Sequence, residues 1–376
     1  MDKIDSYRKK IDEIDAKLID LLTLRFNIVG QVAKFKKSKS IPIYDPNREQ
    51  LLLKKIDKLS KSRGLDVQDV RKIFIDIMYA SKRKQFQNHF SDPISFDIRN
   101  TKIAFQGELG AYSETAVLKS FPNSTPIGFK WFNNAFEALL TSKVDVAVIP
   151  VENSTYGSVL PVYDLVSDID VIAVGEVFLQ IEHCLLSLPD SKLEDIKEVY
   201  SHYQALAQCS DYIKKIGVLP KEYFDTAGAA KMVSEKKDLS IAAIASENAA
   251  KHYGLKILQK GVQDLSNNIT RFLIFVRGNE VGKWLSTSRK GNYKTSLIFS
   301  VPHTSGSLFK SLEVLARNKI NLTKIESRPT GQVAWEYLFY IDFIGNITTP
   351  KVRKILKEFE SKTQYLKIIG CYPAGE

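Results

Sequence analysis

The chain has 376 residues, 44% of them hydrophobic and 26% charged, and a net charge of +11. Such a length and composition fit a globular protein of two or three domains and exclude a disordered or fibrous one. No apolar run approaches the roughly 20 residues that span a bilayer, and the first 20 residues are charged throughout, so neither a membrane partner nor a secretory leader is expected. Cys184, Cys209 and Cys371 lack metal-ligand spacing and leave an odd count, which suits a cytoplasmic protein. Residues 1–90 hold 21 Lys and Arg against 12 Asp and Glu, an excess of 9 that accounts for most of the net charge. Aromatic residues are not interleaved with these bases, so no nucleic-acid partner is expected; the field suits a small polyanion.

Taken in chain order, residues 5–38 read as one helix. Apolar side chains recur at Ile11, Ile14, Leu18, Leu21, Ile28, Val32 and Phe35, in steps of three and four broken only where Arg25 takes a seam position. A helix of this length spans roughly 50 Å, too long for a ninety-residue domain with a radius of gyration of about 12 Å. Its apolar partner is therefore expected on a second chain, in an intertwined dimer or higher homo-oligomer. Asp45-Pro46 caps a second helix that Gly64 ends, and a third covers 67–87. Residues 88–100 read as a linker.

From Lys102 short apolar runs alternate with helical stretches, as in a two-lobed α/β domain with a cleft. Strands are expected at 103–105 and 144–151, and near 169–186, 197–201, 240–245 and 270–276. From Lys294 to Pro373 the order strand, helix, strand, strand, helix, strand predicts a ferredoxin-like βαββαβ unit. The expected domains are residues 1–90, 101–280 and 291–376.

The first segment carries Arg8, Arg25, Lys36, Asp45, Arg48, Glu49, Ser81 and Gln85. Arg25 and Lys36 share one face of the first helix, and Ser81 and Gln85 form an i, i+4 pair on the third. A guanidinium in an apolar seam needs a partner, because burying it alone costs several kcal/mol. This pattern resembles the all-helical chorismate mutase domain fused to prephenate dehydratase in many bacteria. The resemblance implies a Claisen rearrangement of chorismate to prephenate with no metal or cofactor. It assigns Arg25, Arg48 and the other chain's Arg8 to substrate carboxylates, Lys36 and Gln85 to the ether oxygen, and Glu49, with the backbone at Asp45, to the ring hydroxyl.

The middle segment carries Phe105-Gln106-Gly107-Glu108-Leu109-Gly110-Ala111-Tyr112-Ser113, Pro150-Val151-Glu152-Asn153-Ser154, Tyr200-Ser201-His202 and Asn268-Ile269-Thr270-Arg271-Phe272. In this order the motifs resemble prephenate dehydratase. That implies loss of carboxylate and hydroxyl from prephenate to give phenylpyruvate, with Thr270 as the catalytic hydrogen-bond donor and Arg271 on a substrate carboxylate. Ser113, Asn153, Ser154 and Thr226 would line the cleft, and the Gly107–Ser113 turn would offer N–H groups to an anion. Asp225-Thr226-Ala227-Gly228 departs from the family's longer run of hydroxyl residues. His183 and His202 read more readily as structural histidines than as general acids.

The last segment carries Gly306-Ser307-Leu308-Phe309 and Glu326-Ser327-Arg328-Pro329. These resemble an ACT domain of the phenylalanine-sensing kind, with Ser307 in place of the usual alanine. The resemblance implies that Gly306, Ser307, Leu308, Glu326, Ser327, Arg328 and Pro329 bind L-phenylalanine as a feedback inhibitor.

Overall fold

A computed structural model of the chain describes residues 3–38, 46–87, 101–265, 267–284, 292–329 and 336–375. These form two compact units, one helical and one built on sheets.

The helical unit contains α1 (Lys3–Ser38), α2 (Pro46–Ser62) and α3 (Val67–Gln87), with α3 packed on both others. Proline opens α2, where its missing N–H costs no hydrogen bond. Gly64, at φ +69°, ends the turn that follows α2. The sequence signals missed Asp66, whose carboxylate caps α3 by accepting from the Gln68 and Asp69 amides at 2.8 and 3.0 Å. The seam of α1 is uncovered in the single chain: Ile11, Ile14, Leu18, Leu21, Ile28, Val32 and Phe35 are 41–62% exposed. Covering the half of each that is still exposed would contribute roughly 1 kcal/mol.

The larger unit opens with β1 (Lys102–Gln106), α4 (Tyr112–Ser120), β2 (Thr125–Phe129), α5 (Phe132–Leu140), β3 (Val146–Asn153), β4 (Gly157–Ser158), α6 (Leu160–Asp168) and β5 (Val171–Gln180). The chain then crosses to a second lobe: β6 (Cys184–Ser187), β7 (Glu198–Ser201), α7 (Tyr203–Gln208), α8 (Ser210–Ile216), β8 (Leu219–Glu222), α9 (Thr226–Lys236), β9 (Ile241–Ala245), α10 (Glu247–Tyr253) and β10 (Lys256–Lys260). It returns through β11 (Ile269–Arg277), and the short α11 (Val281–Trp284) that follows groups with the helical unit. The final segment is β12 (Tyr293–Ser300), α12 (Ser307–Arg317), β13 (Leu322–Pro329), β14 (Tyr337–Ile344), α13 (Pro350–Glu360) and β15 (Tyr365–Pro373).

The second lobe is a five-stranded sheet, β10-β6-β9-β7-β8, over its own core of Leu185, Val199, Leu206, Ile213 and Ile244. The region near 169–186, where strand was expected, holds two strands in different sheets, because the chain leaves the first lobe at Ile181-Glu182-His183. The C-terminal βαββαβ order is as read from sequence, with β13-β14-β12-β15 antiparallel throughout.

That C-terminal sheet does not stand apart. It runs on through a parallel β15–β5 contact into the first lobe, giving one ten-stranded sheet, β13-β14-β12-β15-β5-β11-β3-β1-β2, with β4 on β3. At the joint Gly370 lies opposite Ala173, and a Cβ at 370 would collide with the Ala173 carbonyl. The core is equally continuous, with Phe136, Ile149 and Phe275 in the same cluster as Ile298, Tyr340 and Tyr372.

Candidate active sites

In the helical unit the seam arginine has found a partner. Arg25 Nη1 donates to Ser81 Oγ, and the Ser81 hydroxyl donates to the Ile77 carbonyl at 2.6 Å. Ser81 is buried, and burial lowers the Arg25 pKa. Arg8 is exposed and pairs with Asp5 at 3.4 Å. It lies 17 residues from Arg25, about 25 Å along the helix, so the two cannot meet around one small molecule within a chain. Arg48 is exposed on α2. The backbones of Lys36, Glu49 and Gln85 belong to α1, α2 and α3, but their side chains, and all of Asp45, lie outside the described residues.

The second constellation centres on the ends of β3 and β11, where Thr270 is in register with Asn153. Asn153 Oδ1 accepts from the Thr155 and Tyr156 amides at 2.9 and 3.1 Å. Its Nδ2 donates to Asn268 Oδ1 at 2.7 Å and to Thr270 Oγ1 at 2.9 Å. Both halves of the amide are therefore committed, which fixes its orientation. Thr270 Oγ1 is an acceptor toward Asn153, so its own hydrogen is left to point elsewhere. Sequence reasoning left Asn268 out of the site, although it shares a strand face with Thr270 two residues on. Its Nδ2 is buried and has no hydrogen-bond partner among the described residues.

Ser154 is committed within the fold. The Ser154 hydroxyl donates to the Asn267 carbonyl at 2.8 Å and accepts from the Ile269 amide at 2.9 Å, stapling β3 to β11. Its hydrogen is not available to a ligand. Ser113 is buried in the first turn of α4, and Thr226 is the first residue of α9, after the N-cap Asp225.

The anion turn expected at Gly107–Ser113 is largely occupied from within. The Gly107 and Ala111 amides donate to the Phe129 and Glu108 carbonyls, and the Gly110 amide donates to Glu114 Oε2 at 2.6 Å. Asn248 Nδ2 also donates to Glu114, at 2.8 Å, so a carboxylate of the protein sits where an anion was expected. The turn instead ties the lobes together: Ser246 and Tyr253 donate to the Gly110 and Leu109 carbonyls at 2.5 and 2.8 Å. Gly110, at φ +89°, has no room for a Cβ against Ala249.

Both histidines are structural. Buried His183 lies 2.8 Å from the Tyr112 hydroxyl and 2.7 Å from Gln208 Oε1, and burial lowers its pKa. His202 caps α7, accepting from the Gln204 amide, and burial lowers its pKa too.

Arg271 does not line the cleft with Thr270; this corrects the sequence reading. A strand alternates its faces, so the neighbour of Thr270 leaves on the other side. There Nε donates to Glu176 at 2.7 Å, Nη1 to Asp342 at 2.5 Å and to Glu152 at 3.3 Å, and Nη2 to the Tyr372 hydroxyl at 2.9 Å. Lys294 reaches Glu176 at 2.8 Å and Lys324 reaches Glu152 at 2.9 Å, so three cations balance three carboxylates. Burial alone would lower the Arg271 pKa, but Tyr372, Asp342 and Glu176 outweigh it and raise it. Two of these partners, Asp342 and Tyr372, belong to the C-terminal segment.

In that segment Gly306, at φ +79°, caps α12, and Ser307 Oγ is 2.6 Å from Thr304 Oγ1. Val301–Phe309, with Leu308 among them, line a depression of about 470 Å3. On β13 the Glu326 and Arg328 side chains are engaged with the first lobe, with Ser158 and Asp164 respectively, whereas Ser327 and Pro329 are exposed.

Three family profiles match the chain in succession: chorismate mutase type II over residues 7–86, prephenate dehydratase over 103–280 and the ACT domain over 295–361. A bifunctional chorismate mutase/prephenate dehydratase of Aquifex aeolicus is 35% identical over 381 residues, covering 99% of this chain and 98% of the relative. The chain belongs to that bifunctional family. It is a chorismate mutase and prephenate dehydratase of phenylalanine biosynthesis, with an ACT domain. Arogenate dehydratase/prephenate dehydratase 2 of Arabidopsis thaliana is 39% identical over 330 residues, 85% of each chain. The structure of an Arthrobacter aurescens prephenate dehydratase in complex with L-Phe superposes with a TM-score of 0.65 at 26% identity, covering 73% of this chain and 90% of that one. Among the described residues no helix is long and apolar enough to cross a membrane.

Proposed function

We propose that Thr270 delivers the hydrogen bond that lets the prephenate hydroxyl depart. Because Asn153 Nδ2 donates to Thr270 Oγ1, the Thr270 hydrogen is not spent on Asn153 and can be given to the substrate, and this carries the reading. As CO2 leaves the ring, its bonding electrons enter the ring and expel the C4 hydroxyl. Thr270 stabilises the charge growing on that oxygen, which departs as water once protonated. Asn153 is then a positioning residue, and Ser113 and Thr226 line the cleft.

In the mutase domain Arg25 and Arg48 of one protomer and Arg8 of its partner hold the chorismate carboxylates, with Ser81 seating Arg25. Lys36 and Gln85 stabilise the ether oxygen, and Glu49, with the backbone at Asp45, orients the ring hydroxyl. The 25 Å between Arg8 and Arg25 and the bare seam of α1 support an intertwined homodimer. No cofactor is required, and the compartment is the cytoplasm. The domains divide at residues 1–90, 101–280 and 291–376, and L-phenylalanine bound by Gly306, Ser307, Leu308, Ser327 and Pro329 inhibits the dehydratase. Glu326 and Arg328 are left out of that site because their side chains already have dehydratase partners.

The test is to add chorismate and follow prephenate and phenylpyruvate over time, with and without L-phenylalanine. Phenylpyruvate should follow prephenate and be suppressed by L-phenylalanine. Turnover of supplied prephenate but not of chorismate would reduce the helical domain to a scaffold.

A further inference from the structure

The strand β13 has two faces with different neighbours. Thr323, Ile325, Ser327 and Pro329 are exposed, whereas Lys324, Glu326 and Arg328 are half-buried. All three of the latter reach the dehydratase domain. Lys324 Nζ contacts Glu152 at 2.9 Å and donates to Ser158 Oγ at 2.7 Å, and the Ser158 hydroxyl donates to Glu326 at 2.8 Å. Arg328 pairs with Asp164 of α6. From β15, Lys367 Nζ donates to the carbonyls of Val166, Ser167 and Ile169 at 2.6, 3.1 and 2.6 Å. It places a cation on the end of α6 where carbonyls lack helical partners.

Every one of these contacts falls on a single stretch of chain, residues 152–169, which begins one residue before Asn153. Its first residue, Glu152, also pairs with Arg271, the neighbour of Thr270. Each end of the Asn153–Thr270 hydrogen bond is thus one peptide unit from a side chain held by the ACT domain.

We propose that the ACT domain controls the dehydratase site through this grip, with Lys324, Glu326 and Arg328 of β13 and Lys367 of β15 as its fingers on residues 152–169. The proposal rests on the dehydratase reading above and names its regulation. An effector on the outer face of β13 shifts the inner face with it, because alternate side chains share one backbone. Packed strand faces and the half-buried ion pairs between them hold discrete arrangements, so the shift exchanges one arrangement for another instead of stretching it. The segment that bears Asn153 moves, and the hydrogen bond that aims Thr270 moves with it. Glu326 and Arg328 are coupling residues here, not ligands of the effector.

The test alters only the dehydratase side. Ser158→Ala/Asp164→Asn removes two handholds and leaves the ACT domain untouched. Calorimetry with L-phenylalanine reads binding, and prephenate turnover reads the response. L-phenylalanine should still bind, and the uninhibited rate should stay within about twofold of the parent. The concentration giving half-inhibition should rise about tenfold, within the usual range of coupling between sites. Asp164→Asn alone, which preserves volume, should show a smaller rise of the same sign and serves if the double variant does not fold. Unchanged inhibition in a folded variant, or loss of L-phenylalanine binding itself, overturns the proposal. A parent protein that binds L-phenylalanine but does not dehydrate prephenate overturns the proposed activity and this control with it, an outcome read before any variant is made.

Discussion

Thr270 and Arg271 are consecutive residues of β11 that serve opposite faces of one sheet. Thr270 Oγ1 meets Asn153 at 2.9 Å, while Arg271 meets Glu176, Asp342, Glu152 and Tyr372 behind it. The partner strand repeats the pattern, since Asn153 and Glu152 are also consecutive and in register with them. One rung of the ladder carries the proposed donor, and the next is bonded to the C-terminal domain.

The proposed donation by the Thr270 hydroxyl can be tested with an isostere. Thr270→Val keeps the shape and removes the hydroxyl, so dehydratase kcat should fall about 10²–10³-fold, the usual loss of one aimed donor. Thr270→Ser should retain most of the rate. Mutase activity, assayed on the same preparation, should be unchanged in both. A valine variant within tenfold of the parent would remove Thr270 from the mechanism.

Asn153→Asp tests the orientation itself. The oxygen that accepts from the Thr155 and Tyr156 amides is retained, so the loop should fold. The other oxygen now faces Asn268 Oδ1 and Thr270 Oγ1, which repels the first and draws the hydrogen of the second inward. Dehydratase kcat should fall by about 10²-fold with no comparable loss of thermal stability; an active variant would show that the direction of the Thr270 hydrogen is immaterial.

Arg271→Met should destabilise the sheet unit by about 3–5 kcal/mol, because Glu176 and Asp342 are left buried without their guanidinium. Denaturant unfolding followed by tyrosine and tryptophan fluorescence measures this. A change below 1 kcal/mol would mean that Lys294 and Lys324 suffice.

Mixing variants tests the intertwined dimer. Arg8→Ala and Arg25→Ala should each abolish mutase activity. In a mixed dimer one pocket inherits both substitutions and the other neither, so an equal mixture, unfolded and refolded together, should recover about a quarter of the parental rate. No recovery would place both arginines in one protomer's pocket.

His183 gives a pH signature. Burial lowers its pKa below the ordinary 6.5, so the unfolded chain binds the proton more readily than the folded one. Its contribution to stability is present above pH 6.5 and is lost as pH falls toward the folded pKa. Melting temperatures between pH 7.5 and pH 5, windows set about the ordinary histidine value, should drop less for His183→Gln than for the parent. Parallel curves would assign the acid sensitivity to other groups.

What could be read from the sequence was what repeats locally. The seam of α1, its interruption by Arg25 and the order of strands and helices after Lys294 are periodic signals, and all appear in the fold. The break between β5 and β6 was hidden because Ile181-Glu182-His183 contains no glycine or proline to mark it. The facing of Arg271 could have been read, since two neighbours on a strand do not enter one cleft; motif membership outweighed that signal. Its partners Asp342 and Glu152 lie 71 and 119 residues away, a distance over which no local pattern speaks.

The joint at Gly370 makes sensor and enzyme one piece of cloth. A sensor hung on a flexible tether can be cut away or exchanged without harm to its host. This one lends β15 to β5, and its removal would leave a raw sheet edge, with unpaired amides and carbonyls open to any other strand. The seam also admits no thicker thread: a side chain at 370 requires Ala173 to give way, so the two halves of the molecule are constrained to vary together.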